Sequence, residues 1–403
     1  MATVTGQALH LDAPGLQWSD GRPVLRTTLR VEAPVVFRAG FALRLHDAAG
    51  AIIDSASGPL DYLWLPRGTY RVDVSLPQPM PAGETRFYMR PWHQQAMAQA
   101  DMAMVEGTFT APGSDGPPIP VGWSVEALAP TPPLAALSWR KGDADWFYRH
   151  FDHAASIVQS YMLADSPLLR GRILDVGCGD GITDLSLALR TGCRELVGVD
   201  PFRGYERLRE VMVENHLPPD AFPPNLRFMA ESANSLPFAD DSFDVVVSWG
   251  SLEHIAGGYD RALAEIRRVL RPEGLFFVHP GLYYCSFGHH LGEFSAEPHF
   301  HLKKPLDEVR RIVMEAPIRR MDRSGHVATR EEYWQWFREL NPITVGRFEQ
   351  ELRALDFQPW RVALRTEAMV EYTPEIERYP MQDLATGEAY IACVSRKGLR
   401  RAT

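Results

Sequence analysis

The chain has 403 residues, 45% hydrophobic and 23% charged, which is too long for one ordinary core and typical of folded domains. Its net charge of −9 argues against a phosphate-tracking surface, so nucleic acid is not an expected partner. Cys178, Cys193, Cys285 and Cys393 are far apart with no C-x-x-C, no apolar run reaches bilayer length, and the N-terminus lacks a basic-then-apolar leader. These features exclude a disulfide scaffold and a helical membrane protein, and the expected compartment is the cytoplasm.

Residues 1–111 are expected to form an all-β sandwich. Leu25–Val31, Phe41–His46, Thr69–Leu76 and Arg86–Met89 are short segments, many of them separated by turn-formers such as Gly50, Gly58 and Gly83. Tyr70, Val72, Val74 and Leu76 alternate with Arg71, Asp73 and Ser75, the pattern of a half-buried strand. The stretch Leu65–Leu76 resembles the glycan-binding sandwich at the end of ATP-driven O-antigen exporters. The resemblance implies a carbohydrate-binding module with an aromatic groove, for which Tyr62, Trp64, Tyr88, Trp92 and His93 are candidates. For each aromatic singly, filling the core is the plainer role. Seven prolines between Pro112 and Pro133 predict a semi-rigid linker over 112–139.

The second domain is expected over 140–403. A helix over Asp143–Met162 precedes a short buried strand, Ile173, Leu174 and Val176 around Asp175, which ends in Gly177, Gly179 and Gly181. Such a turn, opening the helix Ile182–Arg190, lets backbone N–H groups approach a ligand. A second strand, Glu195–Val199, ends in Asp200, 23 residues after Gly177, where a βαβ unit places an acid able to grip both ribose hydroxyls. Three glycines spaced this way also occur in dinucleotide folds. However, Asp175 stands inside the strand, the third glycine follows after one residue rather than two, and the acid leads into Pro201-Phe202.

The run Leu174-Asp175-Val176-Gly177-Cys178-Gly179-Asp180-Gly181 resembles the signature of class I S-adenosylmethionine-dependent methyltransferases. The resemblance implies a doubly wound, Rossmann-like α/β sheet with S-adenosylmethionine as cofactor. Glu231-Ser232-Ala233 before Leu236-Pro237-Phe238 is similar to the family's adenine loop, with Ser232 where an acid usually stands. The fourth strand, Val245–Ser248, leads to Trp249–Ile255, which by resemblance faces the transferred methyl group. A helix, Ala262–Leu270, and strands Leu275–Val278, Val362–Thr366 and Ala389–Ser395 complete the alternation. The cofactor-binding candidates are therefore Asp175, Gly177, Gly179, Asp200, Pro201, Phe202, Ser232, Ala233 and Trp249.

A helical insertion over 281–357 corresponds to the family's variable acceptor-binding region. It begins with a histidine cluster: His279, His289, His290, His299 and His301 are five of thirteen histidines within 23 residues. Phe287-Gly288-His289-His290-Leu291 with Pro298-His299-Phe300-His301-Leu302 resembles methyltransferases of surface-polysaccharide gene neighbourhoods. A neutral hydroxyl is a poor nucleophile, so an alcohol acceptor needs a base, and His254, His290 and His301 are the catalytic candidates. His299-x-His301 with His289, His290 and Glu293 matches no strict metal signature, and no metal is assigned. Cys178 is expected to pack, and Arg310-Arg311 and Arg319-Arg320 to be solvated or to meet an anionic acceptor.

The expected function is O-methylation of a saccharide hydroxyl, modifying or capping a surface polysaccharide, with peripheral association with the assembly machinery. The alternatives are a small-molecule O-methyltransferase with a dimerising β-domain and a non-catalytic S-adenosylmethionine-binding protein. Oligomeric state is not legible in the sequence.

Overall fold

The computed structural model describes residues 9–19, 22–31, 39–59, 68–93, 104–128, 146–317, 328–367 and 369–397. Internal contacts divide the chain into two compact units, Met1–Ser156 and Ile157–Thr403.

The first unit contains β1 (Leu9–Leu11), β2 (Gly15–Ser19), β3 (Arg22–Val31), β4 (Ala39–Asp47), β5 (Ile52–Pro59), β6 (Gly68–Ser75), β7 (Gln78–His93), β8 (Val105–Ile119) and β9 (Gly122–Ala127). One antiparallel sheet runs β1-β3-β6-β9 with β2 also on β3, and the other runs β5-β4-β7-β8. The alternation read in β6 is realised: Tyr70, Val72 and Val74 are buried, and the residues between them are not. Leu25, Leu29 and Val72 of one sheet share a core with Phe41, Leu45, Phe87 and Met89 of the other, which makes the sandwich.

Much of the segment expected as a linker over 112–139 is strand instead. Residues 112–119 continue β8, and 122–127 form β9, paired with β6. The prolines are tolerated because β8 is the outer strand of its sheet, where a missing N–H leaves no ladder bond unmade. The rest of the expected linker, from 129 to 139, lies outside the described residues. The helix expected over Asp143–Met162 is a short α-turn, Trp146–Tyr148, followed by π-helical stretches Arg149–Ala154 and Ile157–Met162.

The second unit is built on seven strands: β10 (Arg172–Val176), β11 (Glu195–Val199), β12 (Leu226–Met229), β13 (Phe243–Trp249), β14 (Leu270–His279), β15 (Phe357–Thr366) and β16 (Thr386–Ser395). Their order is β12-β11-β10-β13-β14-β16-β15, with β10 to β14 parallel and β16 antiparallel to both neighbours. This is the expected doubly wound sheet. Strands such as β13 are buried along nearly their whole length, which explains their continuous apolar runs. The helix Asp260–Val269 buries Ala262, Leu263, Ile266 and Val269, one stripe at helical spacing, in the core under the sheet.

Between β14 and β15 lie helices Phe300–Lys303, Leu306–Glu315, Arg330–Glu339 and Val345–Ala354. Leu291, Phe294, Phe300, Val309, Val313, Tyr333 and Phe337 give part of this insertion its own apolar cluster. Thr329 starts the third helix with a reciprocal cap, its hydroxyl accepting from the Glu332 N–H and the Glu332 carboxylate accepting from the Thr329 N–H. Arg310 and Arg311 are exposed, Arg311 beside Glu315, while Arg319 and Arg320 lie outside the described residues.

Candidate active site

The carboxyl ends of β12, β11, β10 and β13 stand side by side, and every expected cofactor residue is at one of them. After β10 the chain turns back on β11: Gly177 and Cys178 both donate to the Val199 carbonyl, at 2.8 and 3.2 Å. Gly177 has φ +81, and a Cβ there would lie 2.4 Å from Ser251 Oγ. Gly179 has φ +54, and a Cβ there would meet nothing within 4 Å. The first glycine is needed for protein packing, whereas the second faces open space.

Asp200 closes the turn. Its Oδ2 accepts from the Gly179 N–H at 3.1 Å and its Oδ1 from the Phe202 N–H at 2.8 Å. A carboxylate accepts about four hydrogen bonds, so each oxygen retains capacity for a hydroxyl donor. Burial raises the Asp200 pKa despite these two N–H bonds. Phe202 is 80% exposed beyond it.

Beneath the loop lies a residue that sequence reasoning missed. Asp184, in the first turn of Ile182–Thr191, is fully buried beside Asp175. The two carboxyls hydrogen-bond to one another, and Asp175 Oδ1 and the Asp184 oxygens have no donor from outside this pair among the described residues. Burial raises both pKa values: the Asp175 charge adds to the shift at Asp184, and the Asp200 charge adds to that at Asp175. Burial also pushes the Cys178 thiol well up, so it packs as an inert group.

The adenine-loop candidates follow β12. Ser232 is exposed, and its Oγ accepts from the Asn234 N–H at 3.3 Å, so it is a turn-former here. Ala233 packs against the sheet core. Two residues on the Asp260–Val269 helix, also absent from the sequence candidates, hold this loop. Glu265 accepts from the Leu236 N–H at 2.8 Å, and Arg268 donates to the carbonyls of Leu236 and Phe238 at 2.9 and 2.7 Å.

Trp249 is the last residue of β13 rather than part of the loop, and its ring lies against His279 and Tyr390, with centroids 4.6 and 5.7 Å apart. The loop proper contains a 3₁₀ turn, Leu252–His254. Asn341 of the insertion clamps it: its side chain donates to the carbonyls of Leu252 and Ile255, both at 2.9 Å, and its backbone N–H donates to the Glu253 carbonyl at 2.8 Å. Asn341 was not anticipated either.

The clamp presents Glu253 and His254 toward His290. The two imidazoles lie edge to face with centroids 4.8 Å apart, and His254 Nε2 is 3.9 Å from Glu253 Oε1. His301 does not join them. Its ring packs on His289 and Tyr283, its Nε2 is 2.8 Å from the Tyr283 carbonyl, and burial lowers its pKa to about 4. A ring so placed is a weaker base than an open imidazole. His299 is 3.3 Å from the Leu384 carbonyl, and His289 accepts from the Leu291 N–H at 2.8 Å, so the clustered histidines are mostly backbone braces.

The residues present fit S-adenosylmethionine: an uncovered glycine turn, an acid with spare acceptor capacity and an exposed aromatic meet at adjacent strand ends. Residues 174–278 match the family model described as a methyltransferase domain. Over 107 residues the chain is 34% identical to an uncharacterized methyltransferase, YcgJ, of Bacillus subtilis, covering 27% of this chain and 39% of that one. Over 136 residues it is 33% identical to the ubiquinone biosynthesis O-methyltransferase of Azorhizobium caulinodans, covering 33% of this chain and 47% of the relative. The match thus spans less than half the length of either relative. The crystal structure of Bacillus subtilis YcgJ aligns with a TM-score of 0.34 and 17% identity, over 56% of this chain and 92% of that one.

Proposed function

We propose that this chain, with a methyltransferase domain over residues 174–278, is an S-adenosylmethionine-dependent O-methyltransferase whose acceptor is a saccharide hydroxyl. The observation that carries the reading is one of adjacency. The glycine turn and Asp200 end β10 and β11, while Glu253 and His254 follow β13, which pairs with β10 on its other side, and are joined by His290 from beyond β14. A cofactor site and a proton-accepting group thus flank one crevice at the switch in strand order.

In this reading Asp200 binds the ribose hydroxyls, Pro201-Phe202 and the Ser232-Ala233 turn flank the adenine, and the open face of Gly179 admits the cofactor's backbone. Bound there, S-adenosylmethionine supplies an electrophilic methyl group. His254 takes the proton of the acceptor hydroxyl, and the Glu253 carboxyl 3.9 Å from its Nε2 favours the imidazolium that results. His290 fixes the plane of the His254 ring. A base of this kind contributes roughly 10²–10⁴-fold.

Support for a saccharide comes from the outer face of the four-stranded sheet. Tyr88 stands opposite Arg44 on one side and Glu106 on the other, and Arg86 and Arg90 flank it on the same face, a mixed-charge and aromatic surface of the kind that sugar rings and hydroxyls meet. Tyr62 and Trp64 lie outside the described residues, and Trp92 and His93 end β7. Binding a polymer there raises acceptor concentration at a tethered catalytic domain. The four cysteines are buried and free, in keeping with a cytoplasmic enzyme at the periphery of polysaccharide assembly. No helix among the described residues is long and apolar enough to cross a membrane.

A second reading, methylation of a small phenolic acceptor, is favoured by the ubiquinone-pathway relative alone. Incubating the full chain with methyl-labelled cofactor and separate panels of oligosaccharides and phenols distinguishes them. Label retained in an oligosaccharide as an alkali-stable ether is expected, while transfer to phenols alone would replace the saccharide reading.

A further inference from the structure

We infer that Glu253, His254 and His290 form a binding site for a divalent transition-metal cation, zinc foremost, at the end of β13. Among the described residues this is the one group of three or more such side chains whose ligand atoms gather closely, all within 4.8 Å of one another. Glu253 is 2% exposed, and its Oε2 has no hydrogen-bond partner among the described residues. A buried carboxyl left in that state is costly, and a cation offsets the cost.

The backbone has been shaped around this carboxyl. A Cβ on Gly281 would lie 2.5 Å from Glu253 Oε1, so glycine alone leaves room for it there. His290 is held at φ +53, a left-handed conformation that costs about 1 kcal/mol or more and persists only where the surroundings impose it.

The donor set is chemically selective. Two imidazoles and one carboxylate suit zinc and its neighbours, whereas magnesium and calcium prefer all-oxygen sites. Ligand atoms about 2.0–2.2 Å from a zinc ion stand roughly 3.5 Å apart in a tetrahedron. The His254 Nε2 to Glu253 Oε1 separation of 3.9 Å has to shorten by a few tenths of an ångström, and a separation at the 4.8 Å bound of the group by about 1 Å, a closure that side-chain rotation supplies when the cation binds. Three protein ligands leave a fourth position open, and beside the methyl-transfer crevice that position suits an acceptor oxygen. The inference rests on the function proposed above and revises its proton step: with zinc bound His254 is a ligand rather than the base, and the cation instead lowers the pKa of a bound acceptor hydroxyl, while binding itself does not depend on methyl transfer.

The test uses the full chain, stripped with chelator and dialysed, with neither cofactor nor acceptor present. Zinc alone is titrated calorimetrically, and bound zinc is counted by elemental analysis. One zinc per chain is expected, with a higher thermal unfolding temperature and at least tenfold weaker binding in each of His254→Ala and His290→Ala. Glu253→Gln should weaken binding while preserving shape, and retained S-adenosylmethionine affinity in each variant shows that the domain remains folded. No stoichiometric zinc on the wild-type chain, or affinity unchanged in both histidine variants, overturns the site. If methyl transfer fails while zinc binds, the activity proposed above is lost and this inference stands.

Discussion

Gly177 and Ser251 are in direct contact across the strand ends: the Ser251 hydroxyl donates to the Gly177 carbonyl at 2.8 Å, and no Cβ fits between them. The same hydroxyl is 3.0 Å from the Trp249 carbonyl, and Ser248 Oγ donates to the Val176 carbonyl at 2.9 Å. The turn that ends β10 and the loop that follows β13 are therefore one bonded unit. In the function proposed above, a cofactor on the first and an acceptor on the second would be kept in register by these serine hydroxyl bonds, and such positioning is the main demand of an in-line displacement.

This contact predicts a different balance of consequences for two glycines two residues apart. Gly177→Ala drives a methyl group into Ser251 and should lower both stability, by about 2 kcal/mol or more, and S-adenosylmethionine affinity. Gly179→Ala meets no protein atom, so its stability cost should be about 1 kcal/mol, from the left-handed φ of +54 alone. Its methyl group fills the ligand's space, so cofactor affinity should fall at least tenfold. Thermal unfolding and calorimetric titration of both variants check this, and unchanged affinity in Gly179→Ala would mean the cofactor binds elsewhere.

Asn341 makes a different kind of claim, because it touches no expected ligand. Asn341→Ala removes two side-chain bonds to the loop carrying Glu253 and His254, each worth about 1 kcal/mol. The expected result is a higher KM for acceptor and a lower kcat, with S-adenosylmethionine affinity within twofold of wild type. Steady-state kinetics with each substrate varied separately measures the split, and a loss confined to cofactor affinity would contradict the clamp.

How far the sequence carried the reading depended on how local the determining physics was. The β10 turn was legible because a short apolar run, alternate glycines and an acid 23 residues on are determined within one βαβ unit. Asp184 was not, because its significance comes from burial against Asp175, and a helix carrying one acid in its first turn looks ordinary. Glu265, Arg268 and Asn341 act on loops about 30 to 90 residues away, beyond any spacing rule. The histidine cluster misled through its density. Residues adjacent in sequence face different ways, so His290 reaches His254 while His289 turns into the interior against Phe300 and His301. β8 was hidden for the opposite reason, since proline content marks a linker unless the strand lies at a sheet edge.

Three buried histidines make the second unit acid-sensitive. Burial lowers the pKa of His289 and His299, and that of His301 to about 4, from an ordinary 6.5. The unfolded chain takes up protons near 6.5 while the folded one does not, so stability is fully present above that pH and is lost as pH falls toward 4. The slope is at most roughly 1.4 kcal/mol per pH unit per histidine. Because the Asp175–Asp184 pair changes stability in the opposite sense over this range, the histidine contribution is read as the difference in thermal unfolding between the wild-type chain and a histidine variant from pH 7.5 to 5. His301→Gln, whose amide can replace the donor to Tyr283, should flatten the decline; an unaltered slope would show that His301 protonates in the native state.

The Asp175–Asp184 pair should act with the opposite sign. Both carboxyls are buried and their folded pKa values lie above the ordinary 3.8, so between that pH and the folded values the native chain holds protons that the unfolded chain has released. The pair's stabilisation is complete below about pH 4 and is lost as pH rises through neutrality. Asp184→Asn keeps the shape, removes one ionising group and keeps a donor for the Asp175 carboxyl at every pH. In the absence of cofactor it should raise stability by about 1–3 kcal/mol at pH 8 and change it much less at pH 5. Denaturant unfolding at the two pH values measures the difference. A variant equally destabilised at both would mean that Asp184 is held by packing rather than opposed by its neighbour's charge.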